Sequence, residues 1–130
     1  MLFRSIANEA LLSTPCDILA PCGLGAVFNR NSVGQLRCAA VAGSASAQLT
    51  NLQVADQLEG RGILYAPDYV INSGGLIYGA LKHSGAELPT ITAHLSNIGT
   101  RLTEIFANAQ AEKRSPARVA DELAERLLYR

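Results

Sequence analysis

The chain has 130 residues, 48% of them hydrophobic and 17% charged, with 11 basic and 11 acidic side chains and a formal net charge of zero. Such a composition supports one compact domain, or part of a larger one, and excludes a disordered chain. A neutral balance without a basic, aromatic-studded stretch argues against a nucleic-acid partner. No run of about 18 apolar residues is present, which argues against a membrane span.

In chain order, residues 2–12 read as a short helix, because Leu2, Ile6, Ala10 and Leu11 share a face at helical spacing. The opening stretch has no long apolar core, since Glu9 interrupts it, so no secretory leader is expected and the chain reads as cytoplasmic. Three short apolar runs follow: "CDILAP", "RCAAVAG" and "GILYAP", each ended by Gly or Pro. Continuous apolar runs with such punctuation are the pattern of parallel strands buried on both faces. Between the first two, "NRNSVGQL" is loop-like with room for one helical turn. Between the second and third, Leu49, Leu52, Val54 and Leu58 recur near helical spacing, and Gly60 and Gly62 supply a stop.

Residues 72–84 read as helix again. Pro89 then suits the first turn of a long helix, along which Ile91, Leu95, Ile98, Leu102, Ile105 and Ala109 form one stripe. Ser115 and Pro116 open a last helix with Val119, Leu123 and Leu127 on one face. Strands alternating with helices predict an α/β fold with a parallel sheet. Three strands are half of a doubly wound domain. The expected division is a helical lead-in over 1–15, the half-sheet over 16–88 and carboxyl-terminal helices over 89–130.

Few residues offer chemistry. Cys16, Cys22 and Cys38 are an odd count without metal spacing, and His83 and His94 do not complete a zinc set, so reduced thiols and no metal are expected. Cys22 lies just past a strand, but no basic neighbour in sequence marks it as an activated nucleophile. No serine sits in a G-x-S-x-G context. His83, His94, Lys82 and Lys113 fit polar helical surfaces. Gly23–Phe28, "GLGAVF", resembles the start of a dinucleotide fingerprint, but Phe28 stands where the third glycine belongs. No acid lies between Asp17 and Asp56 to hold a ribose hydroxyl. That stretch reads better as a tight turn at a strand's carboxyl end. Asp68–Gly75 combines a strand end, polar cap residues and paired glycines. It reads either as a cradle for a planar or anionic ligand or as a capped helix whose glycines pack on the sheet.

"CDILAPCGLGAVFN", "AAVAGSASAQL" and "ILYAPDYVINSGGLIYGA" resemble, in order and spacing, the carboxyl-terminal portion of the Glu/Leu/Phe/Val amino acid dehydrogenases, closest to the leucine and phenylalanine branch; "SPARVADELAERLL" resembles its last helix. The resemblance covers nearly everything from Cys16 on. It implies the second half of a Rossmann-like NAD-binding domain, about three parallel strands, followed by closing helices. It also implies NAD-dependent oxidative deamination of a branched-chain or aromatic L-amino acid to its 2-oxo acid, in a homo-oligomer. The family's catalytic lysine and aspartate, and its pyrophosphate fingerprint, match nothing here, so no residue of this chain is expected to be catalytic and the isolated chain is expected to be inactive without the missing amino-terminal portion. By resemblance, Pro21, Cys22, Gly23, Ser46 and Asn72 face the cofactor, and Leu76 and Gly79 line the substrate side-chain pocket. Where the family carries a motif like "AGSANNQ", this chain has Ser46 and Ala47 in place of the two asparagines. A non-catalytic binding or assembly module derived from the same fold is the alternative.

Overall fold

The computed structural model describes residues 5–129. Three two-residue strands, β1 (Ile18–Leu19), β2 (Ala40–Val41) and β3 (Leu64–Tyr65), form a parallel sheet in the order β1-β2-β3. Helix α1 (Arg30–Val33) lies between β1 and β2, and α2 (Leu52–Gly60) between β2 and β3. After β3 come α3 (Asp68–Ile71), α4 (Gly74–His83), α5 (Leu88–Glu112) and α6 (Pro116–Leu128). The α/β class, the parallel sheet and the three strands agree with the sequence reading.

Helix limits follow from local chemistry. Asn29 caps α1 by accepting from the backbone N–H groups of Asn31 and Ser32, while the Ser32 hydroxyl accepts from the Asn29 N–H in return. The Asn51 side chain caps α2 by accepting from the Val54 N–H. Gly62 follows α2 at φ 70°, a left-handed turn that favours glycine. The Arg61 guanidinium donates to the carbonyls of Val33 and Leu36, tying the end of α1 to the end of α2.

The sheet is buried on one face, not both. Register pairs Leu19 with Val41 and Val41 with Tyr65, and this row packs on the main core with Phe28, Val33, Leu36, Val54, Ala55, Leu58, Ile63 and Ala117. The other row is Ile18, Ala40 and Leu64, with Ile18 61% and Leu64 43% exposed. The reason is directional. The strand order advances one way, so right-handed crossovers put both connections on the same side. Each large side chain buried there contributes about 1.5–3 kcal/mol.

The expected amino-terminal helix is corrected too. Residues 2–4 lie outside the described residues, and the remainder holds a single 3-10 turn, Asn8–Ala10. Ile6 and Leu11 are exposed, so no packing rewards a longer helix, and the hydroxyls of Ser13 and Thr14 donate back to the Ala10 carbonyl. The α5 stripe is as expected: Ile91, Ile105 and Ala109 are buried, and a second core joins Ile105 and Ala109 to Val119 and Ala120 of α6.

Candidate functional site

The carboxyl ends of the three strands lead into three turns, and close backbone contacts pull these turns together. The Ala45 N–H donates to the Pro21 carbonyl at 2.9 Å. Gly43 lies so near Pro21 that a Cβ there would stand 2.2 Å from the Pro21 carbonyl oxygen and 2.5 Å from its nitrogen. A Cβ on Gly25 would stand 2.6 Å from the Ser46 carbonyl oxygen, and the Ala26 N–H donates to the Ala47 carbonyl at 2.6 Å. Only glycine permits this approach at positions 25 and 43.

Two side chains from the third turn hold the second. The Asp68 carboxylate accepts from the Gln48 N–H at 3.0 Å. Asn72, one helical turn later, donates through Nδ2 to the Ala45 carbonyl at 3.2 Å, and at 3.4 Å to both the Ser44 carbonyl and the Ser46 hydroxyl. Gln48 itself is fully buried and donates through Nε2 to the carbonyls of Gly43 and Ala45 at 2.9 and 2.8 Å. Its Oε1 and the Tyr65 hydroxyl are buried without a hydrogen-bond partner of normal geometry among the described residues. Burial, reinforced by the nearby Asp68 carboxylate, pushes the Tyr65 phenol up, so it stays protonated.

These contacts explain the polar residues between Pro67 and Gly75 and correct the capping reading. Neither Asp68 nor Asn72 caps a helix. The helix expected over 72–84 is present as α4 but begins at Gly74, after a break from α3 at Asn72 and Ser73, and Ser73 makes no cap but donates to the Val70 carbonyl at 2.7 Å. The break points the Asn72 amide at the second turn. Gly74 packs beneath Leu95 and Ile98 of α5, not on the sheet, and Gly75 is open. Gln48 and Gly43 are site-building residues that the sequence reading does not name, and Asp68, named in the Asp68–Gly75 segment, holds the second turn rather than a ligand or a cap. The traces they left were an Asp and an Asn four residues apart, the glycine that closes the second apolar run, and an amide five residues beyond it.

Among the residues read from sequence, the structure joins Pro21, Cys22, Ser46 and Asn72 into this cluster. Hydrogen bonding from the Ser44 side chain, then its backbone, holds the exposed Cys22 thiol below the usual thiol range. Gly23 is exposed at the tip of the first turn, with open space where a Cβ would sit. The Gly23–Gly25 turn opens no helix. The chain passes Ala26 at φ 57° and a single bridge between Phe28 and Leu49 before α1 begins at Arg30. A pyrophosphate-binding helix N-terminus is therefore not built on this turn.

Leu76 and Gly79 lie just beyond the cluster on α4, one turn apart on the same face. Leu76 is 78% exposed, and a Cβ on Gly79 would meet nothing within 4 Å. No hydrogen bond joins either to the three turns. Lys82, His83, His94 and Lys113 are exposed on α4, on α5 and in the turn after it. No helix among the described residues is long and apolar enough to cross a membrane.

Comparison with known proteins bears on the family and the fold. The family model described as Glutamate/Leucine/Phenylalanine/Valine dehydrogenase matches residues 2–124. The leucine dehydrogenase of Thermoactinomyces intermedius is 37% identical over 117 residues, covering 90% of this chain and 32% of that protein. The valine dehydrogenase of Streptomyces coelicolor is 42% identical over 109 residues, covering 84% of this chain and 30% of that protein. Among solved structures, the L-tryptophan dehydrogenase of Nostoc punctiforme superposes with a TM-score of 0.84 at 36% identity, covering 90% of this chain and 36% of that one. The chain thus spans about a third of the length of these relatives. With 123 of its 130 residues matched, it belongs to the glutamate/leucine/phenylalanine/valine dehydrogenase family.

Proposed function

We propose that this chain supplies the carboxyl-terminal portion of an NAD-dependent L-amino acid dehydrogenase, which converts a branched-chain or aromatic amino acid to its 2-oxo acid, and that it is inactive alone. The observation that carries the reading is the drawing together of three strand-end turns beside the open face of α4. In open parallel sheets ligands bind at the carboxyl ends of the strands, and here that end is held in shape by backbone contacts. The names of the relatives point to apolar amino acids. So does the segment 68–79, which contains no Lys or Arg to pair with a substrate carboxylate side chain.

The residues fit one end of the cofactor. The exposed Pro21–Gly23 turn, the Ser46 hydroxyl and the Asn72 amide offer small polar groups and bare backbone to a flat amide-bearing ring. The pyrophosphate that joins the cofactor's two nucleosides needs a helix N-terminus that the first turn does not provide. NAD supplies the hydride acceptor. What the chain's own residues do is position. Asn72 and Gln48 fix the second turn, and Leu76 and Gly79 present an apolar wall to the substrate side chain. The family's asparagine is replaced by Ser46, whose hydroxyl is shorter and has no amide donor pair. No side chain here is assigned the proton transfers, which fall to the portion not present in this chain. In this reading 1–15 is a lead-in, 16–88 the cofactor-side half-sheet and 89–130 the closing helices. The assembled enzyme is a cytoplasmic homo-oligomer.

The test is reconstitution. Mix this chain with the complementary two-thirds of the Thermoactinomyces leucine dehydrogenase, and follow NADH formation with leucine, valine and phenylalanine at alkaline pH. The expected result is turnover by the mixture and none by either piece. Turnover by this chain alone overturns the reading. Its failure to support turnover in any mixture, while it folds and associates, favours the assembly-module alternative.

A further inference from the structure

Helices α3 and α4 pack on α5, and beside that contact lies a groove of about 430 Å³ that the dehydrogenase reading does not use. Gly74 lies against α5 there: a Cβ on it would stand 3.7 Å from Leu95 Cδ2 and 3.9 Å from Ile98 Cδ1. The floor of the groove is apolar, made by the half-buried Val70, Ile77 and Ile98. Along its rim α5 presents His94, Asn97 and Arg101, which are exposed and spaced by three and four residues on one helical face. The other polar groups are already engaged. The Ser73 hydroxyl donates to the Val70 carbonyl at 2.7 Å, and the Tyr69 hydroxyl donates to the Ala117 carbonyl at 3.3 Å and to Asp121. No acidic side chain lines the groove, and among the described residues Arg101 meets a carboxylate only at 4.0 Å, from the exposed Glu104. An exposed pair at that distance holds a guanidinium weakly.

We propose that this groove binds a small monocarboxylate with an apolar body. Such binding does not depend on the proposed dehydrogenase role. The volume falls within the range of small-molecule sites, and an apolar floor with a few convergent donors is their usual lining. Arg101 offers a planar fork that takes both oxygens of a carboxylate. The His94 ring and the Asn97 amide add N–H donors beside it. The apolar body lies on Val70, Ile77 and Ile98 and removes their remaining exposed surface from water. A phosphate suits the groove less. It has no apolar part to lay on the floor, and a single guanidinium leaves its second charge unpaired. The bound acid touches α3, α4 and α5 at once and so holds them together.

The experiment titrates the folded chain with isocaproate, with its amide and with acetate, following backbone amide shifts by NMR. Isocaproate should give saturable shifts centred on α3, α4 and α5. Its amide, which lacks the charge, and acetate, which lacks the apolar body, should each bind at least about tenfold more weakly. Arg101→Gln should weaken isocaproate binding by a similar factor, and Lys82→Gln, which removes the same charge from a residue outside the groove, should leave it unchanged. Equal binding of isocaproate and either its amide or acetate would overturn the proposal, as would undiminished affinity in Arg101→Gln or an equal loss in Lys82→Gln. The absence of any saturable shift with isocaproate, or shifts centred on the strand-end turns, would overturn it equally.

Discussion

The cluster of strand-end turns and helix α4 are neighbours in sequence and opposites in construction. Gly43, Ala45, Gln48, Asp68 and Asn72 bind one another through backbone and buried side chains. Helix α4 buries none of its ten residues and leaves Leu76 in solvent. The difference teaches which part of the site this chain completes. The turn cluster reaches its shape from contacts within the chain. Helix α4 packs on α5 through Gly74 and leaves its Leu76 face open to solvent.

The sharpest way to break the comparison is Gly43→Ala. Its Cβ would meet Pro21 backbone at 2.2 Å, where no flexible side chain can give way. The first and second turns must separate, at a cost of about 3 kcal/mol or more. Urea denaturation should show the midpoint fall by that equivalent, and an unchanged midpoint would mean the turns are not in contact. Next in size is Ala47→Gly. Ala47 sits at φ 52°, a left-handed conformation that costs an alanine roughly 1–2 kcal/mol. Removing the Cβ, less the extra entropy of a freer unfolded chain, should stabilise the protein by about 0.5–1 kcal/mol in the same titration. A loss of stability would deny the strain. At the small end, Leu76→Ser should change stability by less than about 0.5 kcal/mol, since the side chain is 78% exposed. A larger loss would show the Leu76 face of α4 covered within this chain and erase the contrast.

Much of the fold was legible from residue types alone. The runs "CDILAP", "RCAAVAG" and "GILYAP" became the three strands because Gly and Pro bound each of them, and the regular apolar steps from Ile91 to Ala109 became α5. What was not legible depends on partners elsewhere in the chain. The two faces of a short strand differ by what covers them, and the one-way strand order that bares Ile18 and Leu64 is a property of topology. Asn72 and Asp68 have the chemistry of caps, and only the approach of the second turn redirects them. Similarly, Ser115 reads as a cap, but its hydroxyl donates to Asp56, which is held below the usual carboxylate range chiefly by its hydrogen bonds from Arg118. The site residues named by resemblance fall on the strand ends and on α4, while Gly43 and Gln48, which shape the cluster, left only a glycine and one amide to notice.

The comparison is tested most directly at Gly79 in the reconstituted enzyme. If α4 is the substrate wall, Gly79→Val fills the room left by the absent side chain and disfavours the larger substrate. The ratio of kcat/KM for phenylalanine over valine should fall by about 5- to 150-fold, the equivalent of about 1–3 kcal/mol for one or two displaced methylenes. The cofactor-side turns are untouched, so NAD affinity should hold. An unchanged ratio would contradict the account, and the proposed substrate-pocket role of Leu76 and Gly79 would be withdrawn.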